Sequence, residues 1–128
     1  MNELILIDTD ILIDSARKDS KAVAFIDKAV SMYTLTISAV TQMELLVGCR
    51  NKDEIIALDR FLGRFNIARI NEQISDNATS LLKKYRLSHG LLIPDALIAS
   101  TTLQINAFLA TKNIKDYRFI EGLNLWKY

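Results

Sequence analysis

Short apolar-rich runs recur at residues 4–7, 34–37, 66–70, 107–110 and 123–126, each too brief for a helix and each predicting a strand. Between them the apolar period lengthens to three or four residues. Residues 20–32 place Val23, Ile26, Asp27 and Val30 at helical spacing. In "NKDEIIALDRFLGRF", Asn51 reads as a helix N-cap with Glu54 as its reciprocal partner. Residues 72–88 repeat Ile74, Ala78, Leu81, Leu82 and Tyr85, and Gly90 suits a left-handed C-cap. In "IPDALIASTTLQIN", Pro94 suits a first helical turn and Asn106 the residue past the helix end. Strands alternating with helices predict an α/β fold around a mostly parallel sheet of about five short strands. With no Pro-rich, Gly/Ser-rich or repeated segment, residues 1–128 read as a single domain.

Composition adds a partner to this picture. Half of the 128 residues are hydrophobic and mean hydropathy is +0.15, rich enough to imply apolar surface covered by another chain. The opening Met-Asn-Glu carries no basic leader and an acid follows at position 8, so neither a secretory signal nor a membrane span is expected, and a cytoplasmic location is. Cys49, the single cysteine, excludes an internal disulfide and a cysteine-based zinc site, and reads as a small buried hydrophobe. The formal charge of +1 favours neither nucleic acid nor membrane. Its distribution is uneven: residues 1–16 hold no Lys or Arg, while Arg60, Arg64 and Arg69, then Lys83, Lys84 and Arg86, then Lys112, Lys115 and Arg118 form basic groupings. Each grouping equally suits an ordinary solvated face.

The stretch "LILIDTDILID" sets Asp8, Asp10 and Asp14 directly behind the first strand. Helix capping accounts for one of these acids, not all of them. Ligands in open α/β sheets gather at the carboxyl ends of strands, where Asp8, Glu44, Asp95 and Asp116 all fall in the predicted order. Singly, each has a plain alternative: a solvated helix position for Glu44, a helix-dipole interaction for Asp95, a polar loop for Asp116. Jointly, carboxylates gathered in a partly buried mouth would repel by several kcal/mol unless a hard cation such as Mg²⁺ or Mn²⁺ neutralised them. His89, the sole histidine, sits at a helix end where carbonyls are its expected partners, and its solitude excludes a two-histidine ribonuclease.

Together "LIDTDIL", "ISAVTQMELLVG", "GLLIPDALIAS" and "ATKNIKDYRFIEGLNLW" resemble the PIN domain, in particular the VapC-like toxins of bacterial toxin–antitoxin pairs, over nearly the whole chain. The resemblance implies a three-layer α/β/α fold whose Asp8, Glu44 and Asp95 form a Mg²⁺ or Mn²⁺ site for endoribonucleolytic cleavage of RNA. A fourth group comes from the loop after Thr111, where the position stays open between Asp116 and Asn113. The resemblance also implies a homodimer and a cognate antitoxin whose C-terminal segment covers the acidic mouth. This chain departs from the family in carrying Asp10 where Asn is usual, for which helix capping is the favoured role. Thr9, Ser38 and Thr111 are candidates for holding carboxylates in place, against the commoner fate of local backbone bonding. Whether one ion or two would act stays open. The alternatives are a haloacid dehalogenase-like phosphatase, suggested by "DTD" after a strand, and a catalytically silent PIN-like module that binds RNA or protein. A response-regulator receiver, which has the right length and element order, is disfavoured because "NIARINEQ" offers no phosphoacceptor aspartate.

Overall fold

The computed structural model describes residues 3–128; residues 1 and 2, the start of the no-leader reading, lie outside them. Strands β1 (Leu4–Ile7), β2 (Thr34–Ser38), β3 (Asn66–Ala68), β4 (Phe108–Ala110) and β5 (Leu125–Trp126) alternate with helices α1 (Thr9–Ala16), α2 (Ser20–Met32), α3 (Ala39–Val47), α4 (Lys52–Leu62), α5 (Glu72–His89) and α6 (Ile93–Gln104). The sheet order is β3-β2-β1-β4-β5, every pairing is parallel, and β1 lies at the centre between β2 and β4.

Alternation along β1 builds the layers. Ile5 and Ile7 face a core with Ile11 and Leu12 of α1, Ala22, Ile26 and Ala29 of α2 and Leu62 of α4. Leu6 faces the opposite core with Ala78 and Tyr85 of α5 and Ala96, Ile98 and Ala99 of α6. A strand covered on both faces must be apolar throughout, which is why β1 reads as an unbroken aliphatic run. The result is the expected three-layer α/β/α arrangement.

The outer strands are shorter than the apolar runs that predict them. Leu123 packs against the second core from outside β5, and the Ala107 N–H donates to the Thr102 carbonyl at 3.0 Å, so it belongs to the turn after α6. Apolar character marks burial, and burial extends beyond the ladder. Helix α2 turns Ala22, Ile26 and Ala29 inward, not the Val23, Ile26 and Val30 set: Val30 is exposed, and the small alanines face the core instead.

Local signals mostly hold. Asn51 caps α4 by accepting from the Glu54 N–H at 2.9 Å, but Glu54 reaches back to the Arg50 N–H at 2.8 Å instead of closing a box on Asn51. Gly90 ends α5 at φ 72°, and Asn106 follows α6 at φ 54°, both left-handed. Cys49 is half-buried, not buried, with Sγ 3.6 Å from the Leu45 carbonyl oxygen. His89 finds the Ser88 hydroxyl at 2.7 Å and stacks on Phe119 at 4.2 Å, in place of the expected carbonyls. Among the described residues no helix is long and apolar enough to cross a membrane.

Candidate active site

The central strand delivers the first acid. The Asp8 N–H donates to the Ala110 carbonyl at 2.9 Å, which ties the end of β1 to the end of β4 and brings Thr111 alongside. Asp8 is 5% exposed and caps α1, accepting from the Thr9 N–H at 2.9 Å. The cap is therefore Asp8, and Asp10, favoured for that role from sequence, stands in the first turn of α1 where its carboxylate accepts from the Asn113 side-chain amide. The same carboxylate of Asp8 accepts from the Thr111 hydroxyl through Oδ2 at 2.7 Å and from the Tyr117 hydroxyl through Oδ1 at 3.2 Å.

The remaining acids arrive from three other elements. Glu44 of α3 is exposed as a residue, yet its Oε1 accepts from the Thr9 hydroxyl at 2.8 Å, so the side chain turns to the mouth instead of simply facing solvent. Thr9 is itself 2.9 Å from the Thr41 hydroxyl. Asp95 lies in the first turn of α6, and its Oδ1 accepts from the Tyr117 hydroxyl at 3.0 Å. Asp116 closes the 3₁₀ turn Ile114–Asp116 after β4 and is exposed. Thr9 and Thr111 thus hold carboxylates, whereas Ser38 is used locally: it caps α3, accepting from the Val40 N–H at 3.1 Å.

The electrostatics record how near these groups are. Burial pushes the Asp8 carboxyl up to about 6; bonds from Thr111 and Thr9 oppose the rise, and the charges of Asp10 and Asp95 add to it. Burial likewise pushes Asp95 up, opposed by the Tyr117 hydrogen bond and reinforced by the charges of Asp116, Glu44 and Asp10. Burial first, then the charges of Asp8 and Asp95, holds the Tyr117 phenol far above its ordinary range, so it is a neutral donor. A phenol has one O–H, and here two carboxylates compete for it.

Tyr117 was not among the residues the sequence singled out. A signal existed: it follows Asp116 in the loop after β4, and a buried tyrosine must find a partner for its hydroxyl. Its ring is 1% exposed within the second core, so the hydroxyl reaches the mouth from beneath.

Among the described residues no three His, Cys, Asp or Glu side chains stand close enough together, as they are placed, to hold a metal ion. The donor chemistry nevertheless fits a hard dication: carboxylate oxygens, no thiolate or imidazole in the set, and Asp8 and Asp95 both within reach of one hydroxyl. Several members of the basic groupings are already paired: Lys112 with Asp14 at 2.7 Å, Arg64 with Asp27 at 2.9 Å and Lys84 with Glu121 at 3.4 Å. Arg86 donates to the Gly90 and Leu91 carbonyls at 2.9 and 3.3 Å.

An all-parallel sheet with acids gathered at the carboxyl end of its central strand defines a class, and the match is direct: the PIN domain model covers residues 5–120, and the chain belongs to that family. It is similar to ribonuclease VapC19 of Mycobacterium tuberculosis, 31% identical over 120 residues that span 92% of this chain and 95% of that protein. Ribonuclease VapC10 of the same organism is 31% identical over 121 residues, 94% of this chain and 90% of that protein. Among solved structures, VapBC2 from Rickettsia felis bound to a promoter DNA fragment matches with a TM-score of 0.82 at 26% identity over 98% of each chain. A toxin–antitoxin complex from Klebsiella pneumoniae matches with a TM-score of 0.77 at 30% identity, over 93% of this chain and 94% of that one. Membership of this family replaces the phosphatase alternative.

Proposed function

We propose that this chain is the toxin of a toxin–antitoxin pair, a Mg²⁺- or Mn²⁺-dependent endoribonuclease acting as a single domain. The observation that carries this reading is the meeting of Asp8 and Asp95 at one hydroxyl with Glu44 tied to the same mouth, in a chain whose relatives are ribonucleases. Asp8, Asp95 and Glu44 would hold the ion. Asp116 is favoured as the fourth ligand because its charge bears on Asp95; Asn113, whose Nδ2 donates to Asp10, keeps its Oδ1 as the alternative oxygen. A bound dication supplies an activated water and neutralises charge on the phosphoryl oxygens. Thr111 and the Thr9 N–H fix the rotamer of Asp8, Thr9 steers Glu44, and the helix α6 start presents Asp95. Lys115 and Arg118 flank this mouth in sequence as phosphate contacts.

An antitoxin and a second copy of the chain complete the assembly. A groove of about 800 Å³ runs between α1, α3 and α4, walled by Ile13, Leu45, Leu58 and Phe61, with Glu44 on its lining. An antitoxin segment seated there could direct a basic side chain at the carboxylates. Leu87, Leu92 and Ile93 at the α5–α6 corner are exposed apolar surface suited to the homodimer.

The test is cleavage of single-stranded RNA by the purified chain with Mg²⁺ or Mn²⁺ against EDTA. Asp95→Asn should lower the rate about 10²- to 10³-fold, the equivalent of a few kcal/mol of lost charge stabilisation. Cleavage that persists in EDTA, or an Asp95→Asn protein as fast as the parent, refutes the reading; so does hydrolysis of small phosphoesters without RNA cleavage.

A further inference from the structure

Asp8 and Asp95 differ in how firmly they are held. Asp8 has two donors of its own, the Thr9 N–H at 2.9 Å and the Thr111 hydroxyl at 2.7 Å, and lies at 3.2 Å from the single Tyr117 O–H, which is nearer to Asp95. Asp95, on the start of α6, has one side-chain hydrogen bond among the described residues, the 3.0 Å bond from Tyr117. We infer that the Tyr117 hydroxyl is the positioning group for Asp95, turning its carboxylate across the mouth toward Asp8.

The ring of Tyr117 is packed in the second core with Leu6, Ala96 and Leu109, and the turn around it is fixed by backbone bonds from the Tyr117 N–H to the Ile114 carbonyl at 3.1 Å and from the Ile120 N–H to the Tyr117 carbonyl at 3.0 Å. The hydroxyl therefore has a defined position that does not depend on either acid. A carboxylate on the first turn of a helix is free to adopt several rotamers facing solvent. The hydroxyl selects the one directed at Asp8. Phenylalanine would fill the same volume in the core, so what the oxygen adds lies in the mouth and not in the packing.

The inference rests on the metal-dependent nuclease reading. A group that orients a ligand is worth about 10–100-fold in metal affinity. Titration calorimetry with Mn²⁺ on the full chain should show Tyr117→Phe binding about 10–100-fold more weakly than the parent, with a matching rise in the Mn²⁺ concentration that half-saturates RNA cleavage and recovery of rate at excess Mn²⁺. A purely structural role would lower the melting temperature without moving the Mn²⁺ requirement. In the parent protein, the Tyr117 hydroxyl proton should exchange slowly and correlate by NMR with the Asp95 carboxyl carbon; this measurement stands even if Tyr117→Phe does not fold. Unchanged Mn²⁺ affinity in a folded Tyr117→Phe protein, or a freely exchanging hydroxyl proton, overturns the inference and leaves the nuclease reading intact. A parent chain that binds no Mn²⁺ overturns both.

Discussion

Replacing Asp8 with Asn should make the ion-free protein more stable, not less. Asp8 is 5% exposed, and its carboxyl is pushed up to about 6 from an ordinary 3.8. A carboxyl whose folded pKa is raised favours the folded state while protonated and loses that advantage as pH climbs from the unfolded to the folded value. Between about pH 4 and pH 6 the parent protein therefore loses on the order of 3 kcal/mol, from about two units at 1.36 kcal/mol each. Asn resembles the protonated acid in shape, keeps an acceptor for the Thr9 N–H, and carries no charge. In EDTA, urea unfolding of Asp8→Asn at pH 8 should give a free energy up to about 3 kcal/mol above the parent, shrinking to within about 1 kcal/mol at pH 4. Saturating Mn²⁺ should reverse the order, since ligand stabilises only the form that binds it. A variant less stable than the parent at pH 8 without metal, or a difference independent of pH, would show that the carboxylate is fully compensated in the fold and that the mouth stores no electrostatic strain.

Two further expectations concern positions beside the acids and far from them. Thr111→Val keeps the shape of a side chain that is 1% exposed but removes the donor to Asp8 and the acceptor for the Asn113 N–H; chemical denaturation at pH 8 should show a loss of about 1–3 kcal/mol, smaller at pH 4 where Asp8 is protonated. Gly90→Ala places a side chain at φ 72° with no heavy atom within 4 Å to oppose it, so the expected loss of about 1–2 kcal/mol is purely backbone strain and should appear in thermal unfolding with the Mn²⁺ requirement unchanged.

Much of the architecture could be read directly from the residues. The aliphatic run at β1, the helix starts at Asn51 and Pro94 and the stops at Gly90 and Asn106 are local signals, set by side chains within a few positions of one another. Strand ends and helix faces were less legible. Leu123 and Val30 mislead because an apolar residue can be buried outside a strand or exposed on a helix.

The acids at the strand ends were visible as residue types in a suggestive order, but their directions were not. Whether Glu44 faced solvent or the mouth depended on Thr9, 35 positions away, and the role of Asp10 depended on Asn113, 103 positions away. Tyr117 illustrates the division most clearly. Sequence determines that this chain alternates strands and helices and that carboxylates sit where strands end, because those are short-range regularities of burial and spacing. Only the tertiary structure decides that one phenol lies between acids 109 and 22 residues distant, because a hydrogen bond is directional and its partners are chosen by the packing of the whole sheet.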